Sequence, residues 1–302
     1  MNTLNFSIAA VERDTGLSKD VLRMWERRYG FPVPERDGNG ERSYPAEQVE
    51  RLRLIKRLMD MGHRPGKLIA TPTAELSALA PRRTKPAPSG DHGASKGLEE
   101  LLALIKQHDA AGYQQALQQR LARQGLQRFV QDTIAPLTRR VGEAWEDGSV
   151  EVFEEHLFTE LTKRLLRQAI AALPGGSRSP RVLLTSVPDE QHVLGLLMVE
   201  TLFALEGAEC IPLGTQMPLL EIGRAAVAHQ ADVVALSFSV AFPQRQIPGL
   251  LQQIRQMLPP ATDLWVGGGG VARIARVDGV DLMSSLDDAL HALAAWRAAR
   301  PA

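Results

Sequence analysis

The chain has 302 residues, 35 basic and 35 acidic side chains, and a single cysteine, Cys210. That length allows two or three domains, and zero net charge leaves any nucleic-acid contact to a local basic surface. One cysteine excludes a disulfide framework and a cysteine-rich zinc site, and no apolar run approaches the roughly 18 residues of a membrane span or the core of a secretion signal, so a cytoplasmic protein is expected.

Ser7 is placed to cap a first short helix and Gly16 to turn the chain. Ser18 then caps a second helix, SKDVLRMWERRYG, with Asp20 in its first turn, where a carboxylate favours the helix dipole. Ile8, Val11, Leu17, Val21, Leu22 and Trp25 form one apolar set, which predicts a helix-turn-helix. Lys19, Arg23 and Arg27 recur every fourth residue and share a face, with Arg28 beside them. A cationic face on the second helix suits phosphate contact and major-groove entry. Asp37-Gly38-Asn39-Gly40 predicts a hairpin turn, with Arg42, Ser43 and Tyr44 on the return strand. After Pro45 a helix follows, apolar at Val49, Leu52, Ile55, Leu58 and Met59.

The string from Ile8 to Gly62 resembles the winged-helix DNA-binding domain of the MerR family. The resemblance rests on TGLSKDVLRMWERRYGFPVPER, the Arg-Ser-Tyr of the wing and the helix ending Met-Gly-His. It implies a dimer on a near-palindromic double-stranded operator. By this resemblance Lys19, Arg23, Arg27, Arg28, Arg42 and Tyr44 are expected at the DNA, while Trp25 is assigned to the core. The domain is set at residues 1–75.

Residues 76–97 mix Pro, Gly, Ser, Ala and charge and read as a flexible linker. Residues 98–175 are helix-forming, with breaks expected at Gly112, Gly125 and Asp147-Gly148, and predict a small bundle. Trp145 closes one of its helices, and Glu155-His156 lies near the start of the next. The alternatives here are an aromatic and a Glu-His pair closing over a ligand, or a core tryptophan with a surface pair.

From residue 180 to 302, strands and helices alternate: RVLLTSV, AECIPLG, ADVVALSFS and DLWVGGGG lead to helices, including one expected over VARIARV. This predicts a doubly wound parallel sheet with both faces covered. Loops at the strand carboxyl ends carry Glu190-Gln191-His192, Gly214-Thr215, Ser237-Phe238-Ser239 and Gly267 to Gly270. An open α/β sheet binds ligands there. The first loop lacks G-x-G-x-x-G, which excludes NAD. His192 reads as a metal ligand whose tautomer Glu190 fixes, against the alternative of a polar loop histidine.

The Glu190-x-His192-x-x-Gly195 loop, Ser237 and the glycines Gly268 and Gly269 resemble the Rossmann-like cobalamin-binding domain of methionine synthase and base-off mutases, where Asp is usual in place of Glu190. Trp145, nine further residues and then Glu155-His156 match the W-x9-E-H motif of cobalamin-dependent MerR-type photoreceptor repressors of the CarH/LitR kind. The resemblance implies adenosylcobalamin, a cobalt corrinoid, with His192 as the lower cobalt ligand and Trp145, Glu155 and His156 around the adenosyl group. One departure matters: light-responsive members carry a histidine after this tryptophan, and Glu146 stands here. The expectation is therefore a multidomain, non-enzymatic DNA-binding regulator, a repressor switching by cofactor-controlled homo-oligomerisation as dimer or tetramer. The alternatives are a degenerate cobalamin-like domain controlled by a protein partner and a light-independent cobalamin sensor.

Overall fold

The computed structural model describes residues 5–38, 40–60, 63–79, 92–174 and 178–300. The chain divides into two compact units, residues 1–89 with 146–149 and residues 90–145 with 150–302. No helix among the described residues is long and apolar enough to cross a membrane.

The first unit runs β1 (Asn5–Ser7), α1 (Ile8–Thr15), α2 (Lys19–Tyr29), β2 (Glu35–Arg36), β3 (Arg42–Pro45), α3 (Ala46–Asp60), α4 (Pro65–Ala70) and α5 (Thr73–Leu79). The predicted caps form: Ser7 accepts from Ala10 N–H, Ser18 from Val21 N–H. Gly16, at φ +69°, ends α1 in the left-handed region that glycine adopts without penalty. The three strands pair antiparallel in the order β1-β3-β2. Val11, Leu22, Trp25, Leu52, Ile55 and Leu58 make the core. Asn39, in the expected hairpin turn, lies outside the described residues, but its flanks pair Arg36 with Arg42. Of the linker expected over 76–97, residues 80–91 lie outside the described residues; α5 brings Leu76 into the core, and α6 begins at His92.

The second unit opens with a helical bundle. It consists of α6 (His92–Lys106), α7 (Ala110–Gln124), α8 (Leu126–Arg128), a π-helical stretch Phe129–Ile134, α9 (Ala135–Glu146) and α10 (Val152–Ala171). Gly125 and Gly148, both at positive φ, mark breaks as expected. The break expected at Gly112 falls earlier. Asp109 is the N-cap of α7 and its carboxylate accepts Gly112 N–H at 2.8 Å, so the glycine sits inside the first turn.

Five parallel strands follow: β4 (Arg178–Thr185), β5 (Ala208–Gly214), β6 (Val233–Ser237), β7 (Asp263–Gly267) and β8 (Asp281–Leu282), in the order β5-β4-β6-β7-β8. The helices are α11 (Leu194–Leu205), α12 (Leu219–Ala228), α13 (Ile247–Met257) and α14 (Leu286–Ala299). Successive strand residues face opposite sides of a sheet. Val182, Leu184, Val233, Ala235 and Trp265 pack under α11 and α14, whereas Leu183, Val234, Leu236, Leu264 and Val266 pack under α12 and α13. The helix expected over VARIARV does not form. Only a single 3-10 turn, Gly269–Val271, is present, with no side-chain cap at Gly268 to offset nucleation.

One helix is shared. α11 turns Leu196 and Phe203 to the sheet and Leu194, Leu197, Met198 and Leu202 into the bundle core. That double burial is why LLMVETLFAL is apolar on every side rather than along one stripe. Its one acidic group, Glu200, is buried and meets Arg167 of α10 in an ion pair.

Candidate functional site

In a sheet of this order the connections change sides between β4 and β6, and the loops leaving those two strands meet at the switch point where open α/β sheets hold a ligand crevice. The β4 loop carries Glu190 and His192. Glu190 is 1% exposed, yet it is ionised by design: Oε1 accepts His192 Nδ1 at 2.7 Å and His192 N–H at 2.9 Å, and Oε2 accepts Ser239 N–H at 2.7 Å. Burial pushes its carboxyl up, but the hydrogen bonds from His192 and Ser239 more than offset that and hold it below the ordinary carboxylate range. The imidazole is thereby fixed through Nδ1 while its side chain is 60% exposed. With Nδ1 engaged, Nε2 is the ring nitrogen that could take a metal, and the carboxylate behind the ring would raise its basicity.

The loop is braced from below. Ser186, fully buried, donates to the Glu190 carbonyl at 2.7 Å and accepts Gln216 N–H at 2.9 Å, tying the β4 loop to the β5 loop that carries Gly214 and Thr215. Asp189, at φ +68°, makes the turn just before Glu190. Gly195 lies beside Ser237: a Cβ there would fall 2.6 Å from the serine Oγ. Gly268, at φ +96°, lets β7 leave the sheet close to β6, where a Cβ would fall 2.3 Å from the Phe238 carbonyl. A Cβ on Gly269 would come closest to the Val240 side chain, 2.6 Å from its Cγ1. The Ser239 hydroxyl is buried here and has no hydrogen-bond partner among the described residues. Among the described residues no three His, Cys, Asp or Glu side chains gather, so the crevice offers one imidazole rather than a metal cage.

On the bundle, Trp145 is half-buried one residue before the end of α9, with Glu146 last. The Asp147–Glu151 turn leads into α10, where Glu155 is half-buried and His156 exposed. Their side chains join at 2.9 Å between His156 Nδ1 and Glu155 Oε2, and Thr159 donates to the other Glu155 oxygen at 2.7 Å.

On the winged domain, Arg27 and Arg28 are exposed in the last turn of α2, and Arg28 lies over the Tyr29 ring. Lys19 pairs with Glu12 at 3.5 Å and Arg23 with Asp20 at 3.4 Å, both near the surface. Arg42 is half-buried in an ion pair with Glu26 at 2.9 Å, anchoring the wing to α2. Tyr44 is a correction. It is 0% exposed, within the core, with burial pushing its phenol up, and so it does not face DNA. β3 is the central strand and its Tyr44 pairs with Phe6 of β1. Arg36, which the sequence did not single out, is exposed on β2 opposite Arg42 and donates to the Gly40 carbonyl at 2.7 Å. Sequence reasoning also missed Ser186, for which the sequence carries no signal.

Known proteins place the chain. Residues 6–68 match the MerR HTH family regulatory protein and residues 98–170 the B12 binding domain. The HTH-type transcriptional repressor CarH of Myxococcus xanthus is 31% identical over 256 residues, covering 84% of this chain and 85% of that protein. The repressor CarA of the same organism is 29% identical, covering 88% of each. A monomethylamine corrinoid protein of Methanosarcina barkeri superposes with a TM-score of 0.54 at 16% identity, over 67% of this chain and all of that one, a likeness of fold. The chain therefore belongs to the CarH-like family of MerR-type DNA-binding regulators that carry a B12-binding domain.

Proposed function

We propose that the chain is a cytoplasmic, non-enzymatic repressor that holds adenosylcobalamin with His192 beneath the cobalt, and whose homo-oligomeric state follows light through that cofactor. The observation that carries this reading is the clamp on Glu190: a buried carboxylate that fixes one exposed imidazole at the switch point of the sheet. The loops beside the imidazole are closely packed: a Cβ would fall 2.6 Å from the Ser237 hydroxyl at Gly195, 2.3 Å from the Phe238 carbonyl at Gly268 and 2.4 Å from the Ser239 carbonyl at Gly270. The buried Ser239 hydroxyl, without a partner among the described residues, has a hydrogen bond to give or accept. Bound adenosylcobalamin would supply a light-sensitive cobalt–carbon bond. In this reading Glu190 keeps the coordinating nitrogen basic, Ser237 and Gly195 line the path of the nucleotide tail, and Trp145, Glu155 and His156 cover the upper group.

Arg27, Arg28 and Arg23, exposed on α2, hold DNA phosphates, with Arg36 and Arg42 on the wing. Coupling several DNA-binding heads raises their effective concentration at neighbouring half-sites, so disassembly alone releases the operator. Arg27→Ala is expected to weaken binding to all duplexes alike and to lower the slope of log K against log salt by about 1, with folding stability changed by less than about 0.5 kcal/mol. A salt titration by fluorescence anisotropy measures the slope, and an unchanged slope removes Arg27 from the interface.

The reading as a whole is tested by mixing the full chain with adenosylcobalamin in the dark. The absorption spectrum and elution volume are then recorded before and after green light. A base-off bound spectrum with a light-driven change in size supports the proposal. Glu146, where light-responsive relatives of this kind are expected to carry histidine, favours a second reading, a light-independent cobalamin sensor; bound cofactor with a size indifferent to light is its result. No binding at all points to a degenerate domain that answers to a protein partner.

A further inference from the structure

The first turn of α10 carries Glu154, Glu155 and His156 in succession, and a helix sends three consecutive side chains in three directions, about 100° apart. Glu155 and His156 are the pair read above as covering the upper group. Glu154 turns inward and is 6% exposed. One of its oxygens accepts Glu151 N–H at 2.7 Å and closes the capping box of α10. The other meets Nε2 of His108 at 3.2 Å. His108 comes from the distant turn between α6 and α7, and its ring also packs on Phe153, with centroids 5.3 Å apart.

His108 is itself unusual. It holds φ +59°, a left-handed conformation that costs a non-glycine residue about 1 kcal/mol or more and favours Gly or Asn. The turn needs that conformation to return His108 N–H to Ile105 O and Asp109 N–H to Leu104 O. Glycine would satisfy the turn at lower cost. A histidine there is explained by its ring, which grips the one buried carboxylate in the first turn of α10 and flanks the exposed Phe153.

We infer that His108 is a positioning residue for the upper face of the cofactor site: through Glu154 it fixes the first turn of α10, and so where Glu155 and His156 stand. This rests on the reading that those two residues cover the adenosyl group. The corrin and the lower ligand are held elsewhere, on the β4 loop, so the effect is confined to corrinoids with a bulky upper group.

The test compares adenosylcobalamin with hydroxocobalamin, which lacks that group, on the full chain in the dark. His108→Asn keeps a residue suited to the left-handed turn but shortens its reach. His108→Gln restores a donor of greater length. His108→Asn is expected to weaken adenosylcobalamin by about tenfold, the loss of one hydrogen bond to a charged group, and to change hydroxocobalamin by less than about twofold. His108→Gln should recover part of the loss. Equal weakening of both corrinoids, or no weakening of either, overturns the assignment. A wild-type chain that binds hydroxocobalamin yet shows no preference for adenosylcobalamin overturns the covering role of Glu155 and His156 first, and this inference with it.

Discussion

His192→Ala is expected to lower corrinoid affinity by at least the ~10–100-fold that losing an outer partner of a metal ligand costs, while leaving the apo fold intact. The two effects separate because of how Glu190 is held. Removing the imidazole takes away one of its three donors, but His192 N–H and Ser239 N–H still reach the carboxylate, so it is not left bare in the crevice. The side chain removed is mostly exposed, and its loss opens no core cavity. The variant should therefore unfold within about 1 kcal/mol of the parent. Titration followed by absorbance gives the affinity, and thermal unfolding without cofactor gives the stability. Undiminished affinity would falsify the assignment of His192 as the lower ligand. Glu190→Ala should behave differently, losing both affinity and stability, since it strands two part-buried backbone donors, His192 N–H and Ser239 N–H, at about 1 kcal/mol each.

The second large effect is expected at Gly268. Gly268→Ala should destabilise the second unit by roughly 2–4 kcal/mol, combining left-handed strain with a clash against backbone. The methyl would fall 2.3 Å from the Phe238 carbonyl, and that carbonyl accepts Gly270 N–H and belongs to the loop that delivers Ser239 N–H to Glu190. Neither side can yield without moving the clamp. Gly269→Ala is the control. Its Cβ meets the tip of Val240, an exposed side chain that can rotate away, so its cost should stay under about 1 kcal/mol. Differential scanning calorimetry on both variants settles the contrast, and similar unfolding temperatures would mean that the Gly268 turn relaxes more easily than its contacts suggest.

What could be read from the sequence was what short range decides. Ser7 and Ser18 cap their helices, the β4, β6 and β7 runs alternate between two helical layers, and Glu190 and His192, two residues apart, form their pair within one loop. What escaped was decided by partners far along the chain. The second half of the Glu190 clamp comes from Ser239, on the loop that follows β6. Tyr44 looked like a wing residue because β1 is three residues long, too short for a period-2 pattern, and only β1 makes β3 a central strand. Gly112 suggested a break because glycine is a poor helix former, but Asp109 had already satisfied the first-turn amides. His108 gave no sign at all: its meaning lies in a backbone angle and in a carboxylate on another helix.

The double burial of α11 bears on how this protein can be cut. Excising the α/β portion at the start of β4 would strip the bundle from Leu194, Leu197, Met198 and Leu202 and leave them as one bare apolar strip, with Leu286 and Leu290 of α14 adding to it. It would also leave the Glu200 carboxylate without its arginine. Contiguous apolar surface of that kind drives aggregation. A fragment beginning at α6 carries its own cover. The useful border for expression, and for recombining such modules in new regulators, therefore lies ahead of α6 and not between the bundle and the sheet.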